Sequence, residues 1–146
     1  MIGTVNGVNL TDGLDGLASS VTLLIVVFFS IAALKSGSSL VLSGGCVAGA
    51  LMGFLLFNVY PAKVFMGDTG SLALGAVLAT LAILTHREMS LIVVGGVFVI
   101  ETLSVILQVA SVKIRGKKLF PMTPIHHTFE KLGWSETDIV RLFYVV

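Results

Sequence analysis

Four long runs almost free of charge dominate this chain: residues 17–34, 40–57, 69–85 and 89–112, the last holding one acid, Glu101. Each falls in the range of roughly 17–25 residues that a helix needs to cross the hydrocarbon core of a bilayer. Helix is the expected state, because backbone groups in lipid must be satisfied within the segment and no strict period-two alternation points to a barrel. Composition agrees. Only 12% of the 146 residues are charged and 55% are hydrophobic, with a mean hydropathy of +1.03. Soluble domains carry about twice that charge. Disorder, a disulfide scaffold and an ordinary soluble enzyme are excluded. The net charge of +1 gives no ground for a nucleic-acid partner, and the lone Cys46 lies in an apolar run. The opening residues do not read as a signal peptide, since the first charges are Asp12 and Asp15.

The expected fold is therefore all-α, a polytopic membrane protein forming one embedded domain over residues 1–146. It has four full spans with partial helices at both ends. Residues 1–8 and 139–146 are apolar but fall short of the roughly 20 residues a span requires, and 136–146 reads as the opening turns of a last helix. Counting spans puts Lys63, Lys113, Arg115, Lys117, Lys118, Lys131 and Arg141 on one face, and only Lys35 and Arg87 on the other. The positive-inside rule assigns the first face to the cytoplasm. Gly45, Gly49 and Gly53 recur every fourth residue, a spacing that predicts a helix–helix contact face. Gly95-Gly96 predicts either a bend or close packing in the fourth span.

The same count gathers three polar clusters onto the basic face, where they can meet in one pocket. The first is Asn6 with Asn9-Leu-Thr-Asp-Gly-Leu-Asp-Gly16; the second is Asn58, Pro61 and Lys63 with Phe65-Met-Gly-Asp-Thr-Gly-Ser71. The third lies in the loop over 113–135 and runs Pro121-Met-Thr-Pro-Ile-His-His-Thr-Phe-Glu130. Asp12 and Asp15, three apart, share a face on a helical turn. Their glycines suit either close approach to a ligand or an ordinary turn. Asp68 stands where it either caps a helix or ligates a hard cation; magnesium takes one or two carboxylates and completes its shell with water and phosphate. His126 and His127 would point to opposite faces of a strand, which argues against a shared metal and leaves phosphate donation or acid–base work. Lys113, Arg115, Lys117 and Lys118 enforce topology and attract anionic lipid. Glu101 and Gln108 are expected to hydrogen-bond between helices, since a lone acid in a span is costly.

In this order and spacing, three motifs resemble the bacterial phospho-N-acetylmuramoyl-pentapeptide transferase family, within the wider group of polyprenyl-phosphate phosphosugar transferases. They are Asn9-Leu-Thr-Asp-Gly-Leu-Asp-Gly-Leu-Ala18; Asn58 with Phe65-Met-Gly-Asp-Thr-Gly-Ser71; and Pro124-Ile-His-His127 with Phe129-Glu130 and Gly133-Trp134. The resemblance covers essentially the whole chain. It implies a magnesium-dependent reaction on the cytoplasmic face of the bacterial inner membrane. Phospho-MurNAc-pentapeptide passes there from UDP-MurNAc-pentapeptide to undecaprenyl phosphate, giving lipid I and UMP for the cell wall. It further implies Asp68 as metal ligand and catalytic residue, His126 and His127 as catalytic, Asn9 and Asp12 near the sugar phosphate, and Gly13, Leu14, Asp15, Asn58 and Phe65 as a nucleoside pocket. The family is generally a homodimer with ten spans, so the resemblance implies the C-terminal part of that fold.

Two departures stand out. Thr128 occupies the position of a third histidine, and the adjacent Asp-Asp pair of the family's N-terminal half has no counterpart here. The chain alone is therefore expected to be inactive. A sister enzyme using a UDP-N-acetylhexosamine and a non-enzymatic transporter fragment are the alternatives; against the latter, the acids gather at one rim, whereas transporter sites lie near the midplane.

Overall fold

The computed structural model describes residues 1–145, so the helix expected over 136–146 runs one residue beyond what is described. Its elements, in order, are α1 (Ile2–Thr11), α2 (Leu17–Lys35), α3 (Leu40–Asn58), α4 (Gly67–Leu84), α5 (Glu88–Val94), α6 (Gly96–Arg115), α7 (Ile125–Lys131) and α8 (Glu136–Val145). Among the described residues there is no strand. Four helices, α2, α3, α4 and α6, are long and apolar enough to cross a membrane, and the protein is a multi-pass membrane protein.

The first three spans fall within two residues of expectation. The fourth does not form one rod. It breaks at Gly95 into α5 and α6, although Gly95 N still donates to Leu91 O at 2.8 Å and Val99 N to Gly95 O at 3.2 Å. A Cβ on Gly95 would lie 2.6 Å from Leu91 O, so the bend needs glycine.

α2 is the central helix. Leu17, Val21, Ile25, Val26 and Phe29 on it are buried, and α8 closes over its N-terminal end with Ile139, Val140 and Phe143. α1 packs against both α4 and α6. The outward faces carry Leu42, Leu56 (81% exposed), Ile106 and Ile114, side chains suited to lipid tails.

Among the described residues, the glycine stripe of α3 meets no other helix. Gly45, Gly49 and Gly53 are exposed, and a Cβ on any of them would meet nothing within 4 Å among the described residues. α3 instead turns Gly44, Ala48 and Leu51 towards α2, with Gly44 seated on Ser30. The period holds and the phase is one residue off, because every glycine in a Gly44-Gly45 pair satisfies a small-residue rule. A closer approach of backbones lies elsewhere, where a Cβ on Gly75 of α4 would sit 2.6 Å from Val5 Cα of α1.

Candidate functional site

The three polar clusters meet at one end of the bundle. α1 delivers Asn9 in its last turn, and α4 delivers Asp68 and Ser71 in its first. The Asn9 amide donates to Asp68 Oδ1 at 3.1 Å and to Ser71 Oγ at 2.9 Å. Asp68 does not cap its helix: α4 begins at Gly67, Met66 occupies the capping position, and no side chain bonds there. Its carboxylate is exposed and, among the described residues, tethered on one oxygen only.

Asp12 follows α1 directly. Burial, and then the Asp68 charge, push its carboxyl above the ordinary value of 3.8. Two carboxylates that repel in this way favour a shared proton or a shared cation. Among the described residues no three metal-ligating side chains cluster. The Asp12–Asp68 pair thus fits a magnesium-type shell, one or two carboxylates with the rest from water and phosphate, and does not fit a structural metal cage.

Beside that pair lies a cavity of about 190 Å³ lined by Asp12, Gly13, Leu14, Asp15, Asn58, Phe65, Met66 and Gly67. It contains all five residues expected to form a nucleoside pocket, drawn from segments some fifty positions apart. Their roles differ. Asn58 is buried with both ends engaged: its carbonyl accepts from Ser19 Oγ at 2.6 Å and its amide donates to Val64 O at 3.0 Å. It builds the wall. Asp15 Oδ2 accepts the Ala62 N–H at 2.9 Å, which ties the acidic loop to the α3–α4 connection. Phe65, 73% exposed, leaves a ring free at the rim.

The histidines sit on the short helix α7, neither in a loop nor on a strand, so the opposite-face expectation fails. Neighbours on a helix diverge by about 100°. Their ring centroids are 4.2 Å apart at 53°. His126 points inward and is wholly buried, with Nδ1 3.1 Å from Glu101 Oε1 and Gly13 packed against its far nitrogen. It does not line the cavity. His127 is 30% exposed and contacts Glu130 through Nδ1.

Glu101 bonds between helices as expected, from α6 to α7, whereas Gln108 bonds to the non-helical stretch at Leu119 and Phe120; both organise the segment after α6. Glu101 Oε2 accepts the Ile125 N–H at the start of α7 at 2.9 Å. Gln108 accepts from Leu119 N at 3.0 Å and Phe120 N at 2.9 Å, and donates to Phe120 O at 3.0 Å. Glu136 on α8 escaped sequence reasoning entirely. Burial first, then the charges of Asp15 and Glu130, raise its carboxyl above the ordinary 4.5, placing α8 beside the acidic loop. An acid in the first turn of a helix reads as an ordinary surface charge in the sequence and gives no signal of that proximity.

The profile of glycosyl transferase family 4 matches residues 1–86, which hold the first two motifs and the cavity. The chain is similar over nearly its whole length to curated proteins named phospho-N-acetylmuramoyl-pentapeptide-transferase. It is 54% identical over 144 residues to that of Clostridium botulinum (strain Eklund 17B / Type B), covering 98% of this chain and 44% of the relative. It is 56% identical over 145 residues to that of Clostridium perfringens (strain 13 / Type A), covering 99% and 46%. It is 55% identical over 147 residues to that of Shouchella clausii (strain KSM-K16), covering 100% and 45%. The chain spans a little under half the length of these relatives.

Proposed function

This chain belongs to glycosyl transferase family 4, and on that premise we propose that it forms part of a membrane enzyme moving phospho-MurNAc-pentapeptide from UDP-MurNAc-pentapeptide to undecaprenyl phosphate. The products are lipid I and UMP, for peptidoglycan synthesis at the cytoplasmic face of a bacterial inner membrane. The observation that carries the reading is the Asn9–Asp68–Asp12 junction standing beside the cavity at the basic end of the bundle.

Each residue then has a task. The exposed Phe65 ring offers a face for a uracil base to stack on, and base–aromatic stacking tolerates such an open rim. Asn58 and Asp15 hold the cavity walls through Ser19, Val64 and Ala62, so the pocket is formed before the nucleoside arrives. Asp68, with Asp12 nearby, would hold magnesium, which supplies charge neutralisation to a diphosphate. Asn9 keeps Asp68 aimed through its amide N–H, and its side-chain oxygen is left to accept from a hydroxyl or amide N–H of the sugar. In the transfer, a lipid phosphate oxygen bonds to the phosphorus carrying the sugar, and the bond from that phosphorus to the UMP oxygen breaks. His127 is assigned the donation to phosphate oxygens, a reading supported by its partial exposure beside Glu130.

The chain alone is expected to be inactive: it lacks an Asp-Asp pair and matches less than half of each relative. The active form is expected to be a homodimer, as the family generally is. The test is magnesium-dependent exchange of UMP with UDP-MurNAc-pentapeptide in detergent with undecaprenyl phosphate, on the protein as its gene encodes it. Exchange that vanishes in Asp68→Asn while UMP binding survives supports the reading. Exchange unaffected by Asp68→Asn removes the metal assignment, and exchange only with a UDP-N-acetylhexosamine moves the protein to the sister activity.

A further inference from the structure

The buried acid of α6 has no task in the proposed transfer. Glu101 and His126 are both 0% exposed, one inside a span and the other on the helix after it. Glu101 Oε2 is committed to the Ile125 N–H at 2.9 Å. Glu101 Oε1 and His126 Nδ1 are 3.1 Å apart, off the line of a full hydrogen bond, and neither atom has another partner among the described residues. Leaving both unpaired in so dry a place is costly, so a proton on Nδ1 shared with Oε1 is strongly favoured. His126 Nε2, also buried and without a partner there, faces Gly13, and a Cβ on Gly13 would run into the ring. Gly13 in turn lines the cavity that His126 itself does not reach.

We propose that Glu101 is a positioning residue: it holds the Nδ1 proton of His126, fixes Nε2 as the nitrogen that faces the acidic loop, and through the ring sets the position of Gly13 in the cavity wall. His126 is then a strut between α6 and the Asp12–Asp15 loop. The consequence for ligand binding rests on the nucleoside-pocket reading; the tautomer does not.

Both parts are tested on the protein as its gene encodes it. Imidazole nitrogen NMR of histidine-labelled protein, assigned by the signal lost in His126→Gln, reads the tautomer. Nδ1 should carry a proton. In Glu101→Gln the Ile125 N–H still requires the side-chain oxygen, so the amide NH₂ turns to Nδ1, which must now accept, and the proton moves to Nε2. An unprotonated Nδ1 in the unsubstituted protein, or an unchanged pattern in Glu101→Gln, overturns the positioning role. UMP binding by calorimetry reads the strut. Gly13→Ala should weaken it about tenfold through overpacking, and adding His126→Ala should restore it to within about twofold. Undiminished binding in Gly13→Ala, or no recovery in the double variant, overturns the strut. No UMP binding by the unsubstituted protein overturns the nucleoside reading, and the tautomer still decides Glu101.

Discussion

The side-chain amide of Asn9 donates to Asp68 Oδ1 at 3.1 Å across 59 positions of sequence. It joins the last turn of one helix to the first turn of another at the point where the acids converge. Ser71 Oγ, 2.9 Å from the same nitrogen, completes the tie.

Asn9→Ala frees the Asp68 carboxylate to rotate. A hydrogen bond to a charged group contributes about 1.5–3 kcal/mol, so the magnesium concentration giving half-maximal exchange should rise roughly tenfold or more. UMP binding should change little, because Asn9 does not line the cavity. Equal losses in both would assign Asn9 to the nucleotide instead.

Asp12 makes stability depend on pH. Its carboxyl is raised on folding by burial and by Asp68. For such an acid the folded state holds the proton more tightly, so the contribution is complete below the ordinary 3.8 and is lost as pH rises through the elevated value. Asp12→Asn stays neutral throughout. Detergent melting curves should show the variant matching the parent at the acid end and exceeding it above that window. A difference independent of pH would remove the Asp12–Asp68 repulsion from the account.

Two glycines test where the helices approach. Gly75→Ala drives a Cβ to 2.6 Å from Val5 Cα, against backbone that cannot rotate away. Overpacking of this kind costs about 1–3 kcal/mol. Gly49→Ala enters open space and should be neutral or slightly stabilising within the chain. Thermal unfolding of the two variants side by side checks the order; a costly Gly49→Ala would mean that this face is covered in the assembled protein.

Gln108→Ala removes three hydrogen bonds to Leu119 and Phe120 at once. Hydrogen exchange at the 119 and 120 amides should quicken about tenfold or more, given about 1–3 kcal/mol for stranded groups. The amides of α2 should not respond. Unchanged exchange at 119 and 120 would show that the loop is held by something else.

Much of the fold was legible because lipid permits few solutions. Uncharged runs over 17–34, 40–57 and 69–85 became α2, α3 and α4 almost residue for residue, since a backbone in hydrocarbon must bond to itself. The meeting of the polar clusters followed from counting spans. What failed were choices among equivalents. Gly44 and Gly45 both fit a small-residue contact, and only the packing of α3 on α2 selects Gly44. His126 and His127 are adjacent and chemically identical, yet one is sealed against Glu101 and the other reaches the surface.

The sequence by itself determined the helical class, the number of spans and the end of the bundle where the polar clusters collect, because those follow from local hydropathy and charge. Only the tertiary structure decided which oxygen of Asp15 is occupied, that Asn58 spends both ends of its side chain on Ser19 and Val64, and that Glu101 answers to His126. Such pairings depend on how helices rotate about their axes and how deeply they sit. Rotation is set by the sum of many small contacts, which no short stretch of sequence carries.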